Sequence, residues 1–395
     1  MNYYETALRV HAENQGKLEL ISKVPVKTRD DLSVAYTPGV AEPCVKIAEN
    51  PSDAYIYTMK GRTVAVVTDG SAVLGLGDIG AAAALPVMEG KAVLFKEFAN
   101  VDAIPLCLDT QDVDEIIHTV KMVSPGLGGI NLEDIAAPRC FEIEERLEKE
   151  LDIPVFHDDQ HGTAIVVCAA VINAYRLLGV ELSEVKACIN GAGAAGSAIA
   201  HMLLSIGVND IVICDSKGII HSTSKSTPEK VALAKLLKET RGYGLDADAT
   251  TLSDAVKGRD LFIGVSAAEV LSEDDVKAMN PNPVIFAMAN PVPEIMPHLA
   301  LNAGAKVVGT GRSDFANQIN NVLVFPGIFK GALQARAKNI TNEMKLAAVQ
   351  ALADFVPSDQ LHPEYVIPSP FEPGVADKVA EAVARAWQEN SLSDS

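Results

Sequence analysis

The chain has 395 residues, which at roughly 150 residues per domain points to two or three domains. Hydrophobic residues make up 48% and charged residues 22%, the balance of a globular protein, so disorder of the whole chain is excluded. Lys and Arg number 33 against 52 Asp and Glu; a net charge of −19 repels nucleic-acid phosphates and anionic lipids, so neither is an expected partner.

Residues 1–60 are mixed and partly helical, with a Pro-punctuated stretch from Thr37 to Pro51. The opening, MNYYETALRVHAEN, has neither a basic start nor an apolar run and does not look like a secretory signal. From residue 63 short apolar runs alternate with helix-length segments. Strands are expected at 63–68 (TVAVVT), 92–95 (AVLF), 104–108 (IPLCL), 128–131 (GGIN) and 154–157 (PVFH). A helix over 162–178 then connects to a second series at 185–190 (VKACIN), 210–214 (DIVIC), 260–265 (DLFIGV), 284–289 (VIFAMA) and 305–310 (AKVVGT). One further helix is expected over 331–354, a Pro-rich loop over 356–374 and a last helix over 375–389. Strands alternating with helices predict an α/β fold of two domains with mainly parallel sheets, over 1–160 and 161–335. Helices in 336–395 then pack back on the body. The best apolar run, Thr163 to Ile172, is about half the roughly 20 residues a membrane span needs. Cys44, Cys107, Cys140, Cys168, Cys188 and Cys214 are widely spread without a CxxC pair. That is the usage of free thiols in a reducing compartment, so a cytoplasmic protein is expected.

Two segments match G-x-G-x-x-G: Gly191-Ala-Gly193-Ala-Ala-Gly196 and Gly75-Leu-Gly77-Asp-Ile-Gly80. The first follows the strand VKACIN directly and opens a helix, and a second strand ends in Asp215 about 20 residues on. That layout sets a pyrophosphate on a helix N-terminus and a carboxylate on a ribose, which makes the second domain a Rossmann-type dinucleotide-binding domain. A Gly-rich turn without a ligand is the bland alternative. The second match is separated from its strand by DGSAVL, an insertion that a tight strand–turn–helix does not tolerate.

In parallel sheets ligands bind beyond the carboxyl ends of the strands. Asp69 follows the first strand, Glu133 and Asp134 follow GGIN, and Asp158 and Asp159 follow PVFH. Two acidic pairs at neighbouring strand ends suit Mg²⁺ or Mn²⁺. Helix capping explains one pair well and two pairs less well. His157 and His161 stand four apart, but the segment straddles a strand end, so zinc is disfavoured. Lys91 is an acid/base candidate that an exposed lysine at the end of a helix over 78–90 also explains. Tyr36, in SVAYTPGVAEPC, carries no functional weight alone.

Together these residues resemble the malic enzyme family, metal-dependent oxidative decarboxylases of malate. The matching segments are AYTPGVAEP, TDGSAVLGLGDIG, PVMEGKAVLF, NLEDI, FHDDQHGTA, INGAGAAG, ANPVPEI and NNVLVFPGI, from residue 33 to about 332. The length resembles the compact bacterial form. The resemblance implies Tyr36 as the acid that protonates C3 of the enol, and Lys91 as the base at the C2 hydroxyl. It implies Glu133, Asp134 and Asp159 as metal ligands, with Asp158 beside Lys91 tuning it. Asn290 and Asn321 would contact malate, Asn290 also the cofactor. Gly191, Gly193, Ala194, Ala195, Gly196 and Asp215 would hold the dinucleotide. Larger members carry a carboxylate-gripping arginine where this chain has Val73, so malate is expected to be gripped by Asn290, Asn321 and the 75–80 backbone.

The expected reaction is metal-dependent conversion of malate to pyruvate and CO₂ with reduction of NAD(P). The nearest rivals are an oxaloacetate decarboxylase or a malate-to-lactate enzyme on the same site, and, further off, a redox-inert nucleotide-binding regulator. Asp215 favours NAD, whereas Ser216 and Lys217 leave NADP as the alternative cofactor. A homodimer is expected, with the N-terminal 60 residues as the contact region.

Overall fold

The computed structural model describes residues 2–73, 75–223, 226–240 and 249–393. Two parallel sheets form the body. The first contains β1 (Thr63–Thr68), β2 (Asp102–Cys107), β3 (Gly129–Leu132) and β4 (Val155–His157), in the order β2-β1-β3-β4. The second contains β5 (Lys186–Asn190), β6 (Asp210–Asp215), β7 (Gly218–Ile219), β8 (Leu261–Gly264), β9 (Val284–Ala287) and β10 (Val307–Thr310), in the order β10-β9-β8-β5-β6-β7. Every pairing in it is parallel except β6 with β7, a short antiparallel edge. The order is that of a Rossmann-type sheet. Strands covered on both faces bury nearly every residue, which is why they stand out as continuous apolar runs.

The Asp158–Leu178 helix leaves β4 without a loop and carries the chain to the second sheet. By length and composition it passes for a membrane span, against the sequence expectation, but 72% of its apolar window is buried inside the protein. It is the shared core helix. Phe95, Phe325 and Phe329 cluster, with ring centroids of Phe95 4.7 Å from Phe325 and 5.5 Å from Phe329. They join the Phe325–Ala335 helix to the Ala81–Ala99 helix, which bears Phe95. The Val375–Ser393 helix crosses it closely: a Cβ on Gly331 would lie 2.4 Å from the Ala380 carbonyl oxygen.

Two expected elements are corrected. AVLF (92–95) is not a strand but part of the helix Ala81–Ala99, which also runs past the expected end at 90. Its buried residues, Ala84, Met88, Lys91, Ala92, Phe95 and Ala99, recur every three or four positions, the period of a helix face. The segment 331–354 is two helices, Phe325–Ala335 and Asn342–Ala353. Arg336 ends the first in the left-handed region, and the Thr341 hydroxyl caps the second.

The N-terminal helices Tyr3–Asn14, Arg29–Ala35, Ala41–Glu49 and Ala54–Tyr57 contain no buried residue. Leu20, Ile21, Val34 and Tyr36 stand largely in solvent.

Candidate active site

Parallel register brings the ends of the first sheet's strands to one edge: Val67 pairs with Leu132, and Leu132 with His157. The residues that follow must therefore converge. Asp158 and Asp159 open their helix, where the dipole favours negative charge. The Asp159 carboxylate accepts the Asp134 N–H at 2.8 Å. Asp134 sits at φ 53°, a left-handed conformation that Asp tolerates better than most residues. Glu133, Asp134 and Asp159 each offer one oxygen within 4.8 Å of the others.

Lys91 reaches this edge from the Ala81–Ala99 helix. It is not the exposed helix-end lysine of the bland reading: it is 7% exposed, with its ammonium over the Phe325 ring. Its Nζ lies 2.5 Å from Asp158 and 2.9 Å from Glu133. Burial pushes the ammonium toward neutrality, but the charges of Asp158 and Glu133 outweigh it and hold Lys91 protonated. Burial likewise pushes the carboxyls of Glu133, Asp158 and Asp159 up. Glu133 and Asp158 thus share the buried Lys91 ammonium, and Asp159, beside them, is partly exposed.

Asp69 is not part of this cluster: Arg139 donates to it at 2.9 Å, and so does the Ser71 hydroxyl. His161 goes to Glu144 at 3.0 Å rather than to a shared site with His157. Glu144 is a residue the sequence reading missed. It is buried, and its carboxylate accepts the His157 N–H at 2.7 Å and the Gln160 amide at 2.9 Å, so it anchors the turn that bears Asp158 and Asp159 from behind. Nothing in the acidic run EIEERLEKE singles it out.

Asn321 stands beside the first turn of the Asp158–Leu178 helix. A Cβ on Gly162 would lie 3.2 Å from Asn321 Cβ and 1.9 Å from Asp158 Oδ1, so only glycine fits there. Asn290 precedes a cis proline, and its carbonyl oxygen would lie 3.2 Å from a Cβ on Gly75. The 75–80 turn and the Asn290 loop therefore pack against each other. The second G-x-G-x-x-G is a closed turn, with Val73 and Gly77 exchanging backbone hydrogen bonds of 3.0 and 2.8 Å, and Gly80 leads into the Ala81–Ala99 helix. Val73 is buried.

On the second sheet β5 runs into the glycine turn and then the Ala194–Ser205 helix. Gly191 has φ 120°, and a Cβ on Gly196 would lie 1.7 Å from the Gly191 carbonyl oxygen. A Cβ on Gly193 would meet nothing within 4 Å, so space is open at the helix N-terminus where a pyrophosphate belongs. Ala194 and Ala195 form the first turn of that helix. Asp215 closes β6. One carboxylate oxygen accepts the Lys217 N–H at 2.9 Å, and the other pairs with Lys230 at 2.9 Å. Partial burial pushes the carboxyl up, but these two partners hold it below its usual range. Lys230 is a second residue that the sequence reading missed.

Tyr36 ends the Arg29–Ala35 helix, is 67% exposed, and precedes a cis Thr37–Pro38 bond. It lies outside the buried cluster.

Residues 15–148 match the family model described as malic enzyme, N-terminal domain, and residues 160–388 that described as malic enzyme, NAD binding domain. A bifunctional malic/malolactic enzyme of Bacillus subtilis is 58% identical over all of this chain and 95% of its own length. An NAD-dependent malic enzyme of Geobacillus stearothermophilus is 56% identical over 94% of this chain and 76% of its own. The crystal structure of an NAD-dependent malic enzyme from Thermotoga maritima superposes with a TM-score of 0.90 at 48% identity, over 96% of this chain and 98% of that one.

Proposed function

The chain belongs to the family of NAD- and NADP-dependent malic enzymes, and from that premise we propose that it oxidatively decarboxylates (S)-malate to pyruvate and CO₂, with a divalent cation on Glu133, Asp134 and Asp159. The observation that carries the metal is the gathering of oxygens: Glu133, Asp134 and Asp159 each offer one within 4.8 Å of the others, while Lys91 is engaged by Asp158 and Glu133. Hard oxygen donors at this spacing suit Mg²⁺ or Mn²⁺, not zinc. Bound there, a cation would supply the positive charge that Lewis-acid chemistry on malate needs. Gly191, Gly193, Ala194, Ala195 and Gly196 would hold a dinucleotide, whose nicotinamide would supply the hydride acceptor for C2.

The chain's own residues move the protons. Lys91 takes the C2 hydroxyl proton. Asp158 lies at 2.5 Å to share or accept a proton from Lys91 beforehand, and burial makes it receptive. Tyr36 then protonates C3 of the enol. Asn290 and Asn321 orient malate, in place of the arginine that Val73 replaces. The malic domain covers 1–160, the nucleotide domain 161–335, and the helices of 336–395 pack against both. All six cysteines are free thiols, in keeping with a cytoplasmic setting.

A second reading is favoured by the Bacillus subtilis relative, described as both a malic and a malolactic enzyme. The same site would then reduce its pyruvate onward to lactate without releasing reduced cofactor. Both readings are tested by incubating malate, dinucleotide and Mn²⁺ with the enzyme and counting products. One reduced dinucleotide per pyruvate is the expected result; lactate with no reduced cofactor selects the second reading. Asp159→Ala should abolish either reaction. Full turnover of that variant in excess EDTA would sink the metal assignment.

A further inference from the structure

A cleft of about 660 Å³ lies where five helices meet: Arg139–Glu150, Asp158–Leu178, Ala194–Ser205, Pro228–Thr240 and Asn342–Ala353. None of the residues assigned above to malate, metal or dinucleotide lines it. A cleft of this size accommodates an ordinary small molecule. Leu233, Leu236 and Leu346 give it an apolar wall. Its polar lining includes Gln160, His161, His201, Glu229 and Asn342, and its lysine, Lys345, is 7% exposed.

Among the described residues no carboxylate oxygen lies within 4.0 Å of the Lys345 ammonium. Its one hydrogen-bond contact is His161 Nε2 at 3.3 Å. That nitrogen is also 3.0 Å from Glu144 Oε2. One ring nitrogen cannot give a proton to Glu144 and receive one from Lys345 together. With Glu144 ionised, the Nε2 proton belongs to the carboxylate, and the ammonium keeps the charges of Glu144 and Glu148 nearby but no direct hydrogen-bond acceptor. A buried cation without one is costly, and a ligand carboxylate would satisfy it.

We propose that this cleft is a second ligand site, for a monocarboxylate with an apolar body, its carboxylate on Lys345 and its body against Leu233, Leu236 and Leu346. One cation matches one negative charge, and Glu229 at the exposed side of the cleft repels a polyanion such as a phosphorylated ligand. The site is wired to the chemistry. Lys345 meets His161, His161 meets Glu144, and Glu144 holds the His157 N–H ahead of Asp158 and Asp159. Occupancy is therefore felt at the catalytic turn.

The test is calorimetric titration of hexanoate into the dinucleotide-loaded enzyme, with hexan-1-ol and hexylamine as controls. Hexanoate should saturate one site per chain and bind at least tenfold more tightly than either control. Lys345→Met should weaken it at least tenfold, and Lys345→Arg should restore it. Leu236→Glu, a change at a partly exposed position that the fold tolerates, should weaken it equally. Saturating hexanoate should change kcat for malate at least twofold without competing with malate, and should not do so in Lys345→Met. No saturable binding, or equal binding to Lys345→Met and Leu236→Glu, overturns the site. Mutual exclusion with malate also overturns it, since the probe then sits in the substrate cleft. Saturable binding without any effect on turnover overturns the link to the catalytic turn.

Discussion

At Lys91 the opposing effects of burial and charge decide the chemistry. The side chain is nearly dry, which alone would neutralise it, yet two carboxylates within 3 Å keep it charged. A group so placed is fitted to exchange a proton with Asp158. Lys91→Ala should therefore cut malate oxidation by more than the roughly 10²–10⁴-fold of general base catalysis alone, because it also removes the partner of Asp158. Dinucleotide binding, measured by fluorescence titration, should survive, because the glycine turn belongs to the other sheet. Near-normal kcat would refute the role. The gathering of Glu133, Asp134, Asp158 and Asp159 was legible in the sequence, because these carboxylates follow strands and parallel strand ends converge, whereas the pairing of Lys91 with Asp158 came only from the family resemblance. Lys230 was not, since it reaches Asp215 from a helix 15 residues away. It bears on the proposed cofactor choice: if Asp215 faces the ribose, Lys230 holds one of its carboxylate oxygens and sets a cation beside it. Lys230→Met should raise the ratio of kcat/KM for NAD over NADP by about tenfold, roughly 1.4 kcal/mol. An unchanged or reduced ratio would show that Asp215 reads the ribose unaided.

At the scale of elements, periodicity served where an element had one environment and misled where it was short. AVLF has four apolar residues, too few to separate a strand from the inner face of a helix. The buried stripe from Ala84 to Ala99 shows the answer only over 16 positions, and it is this helical phase that turns Lys91 inward. The Arg139–Glu150 helix hides a different feature, because its acidic residues look alike in sequence but not in environment. Glu144 is held well below its usual range, to about 2, by His161 and Lys345 despite its burial. Glu148, one turn on, is pushed up to about 7 by burial and by the charge of Glu144. A carboxyl raised from 4.5 to about 7 stabilises the fold fully below pH 4.5, and that contribution is lost as pH rises through 7. Above that, an ionised Glu148 strains the helix. Glu148→Gln should then melt about 2–4 °C above the parent at pH 8 and within about 1 °C of it at pH 5. Thermal unfolding at the two pH values measures this, and an equal offset at both would contradict it.

The whole molecule is two sheets sharing one core helix, with an N-terminal arm that shares almost nothing with them. Four helices over the first 60 residues bury no side chain, while Leu20 is 92% and Ile21 78% exposed. Residues 18–23 and β2, the half-buried edge of the first sheet, frame a cleft of about 610 Å³. An open strand edge beside exposed leucine, isoleucine and valine is a surface that proteins ordinarily cover. The arm also carries Tyr36, proposed as the acid, a role that would require a closed site rather than a hydroxyl in open water. A second copy of the chain would cover both deficits at once, and a closed two-fold pair is the common way to do so. Light scattering across working concentrations should therefore give twice the chain mass of 41.8 kDa. The double variant Leu20→Asp, Ile21→Asp should shift the mass toward one chain, because two buried charges per copy oppose the contact. If the dimer completes the site, malate turnover should fall with it, by at least tenfold at concentrations where the variant is monomeric, while dinucleotide binding persists. A parent enzyme that is monomeric and fully active would overturn the arm's role, and a monomeric variant with parental turnover would show that Tyr36 needs no cover from a second copy.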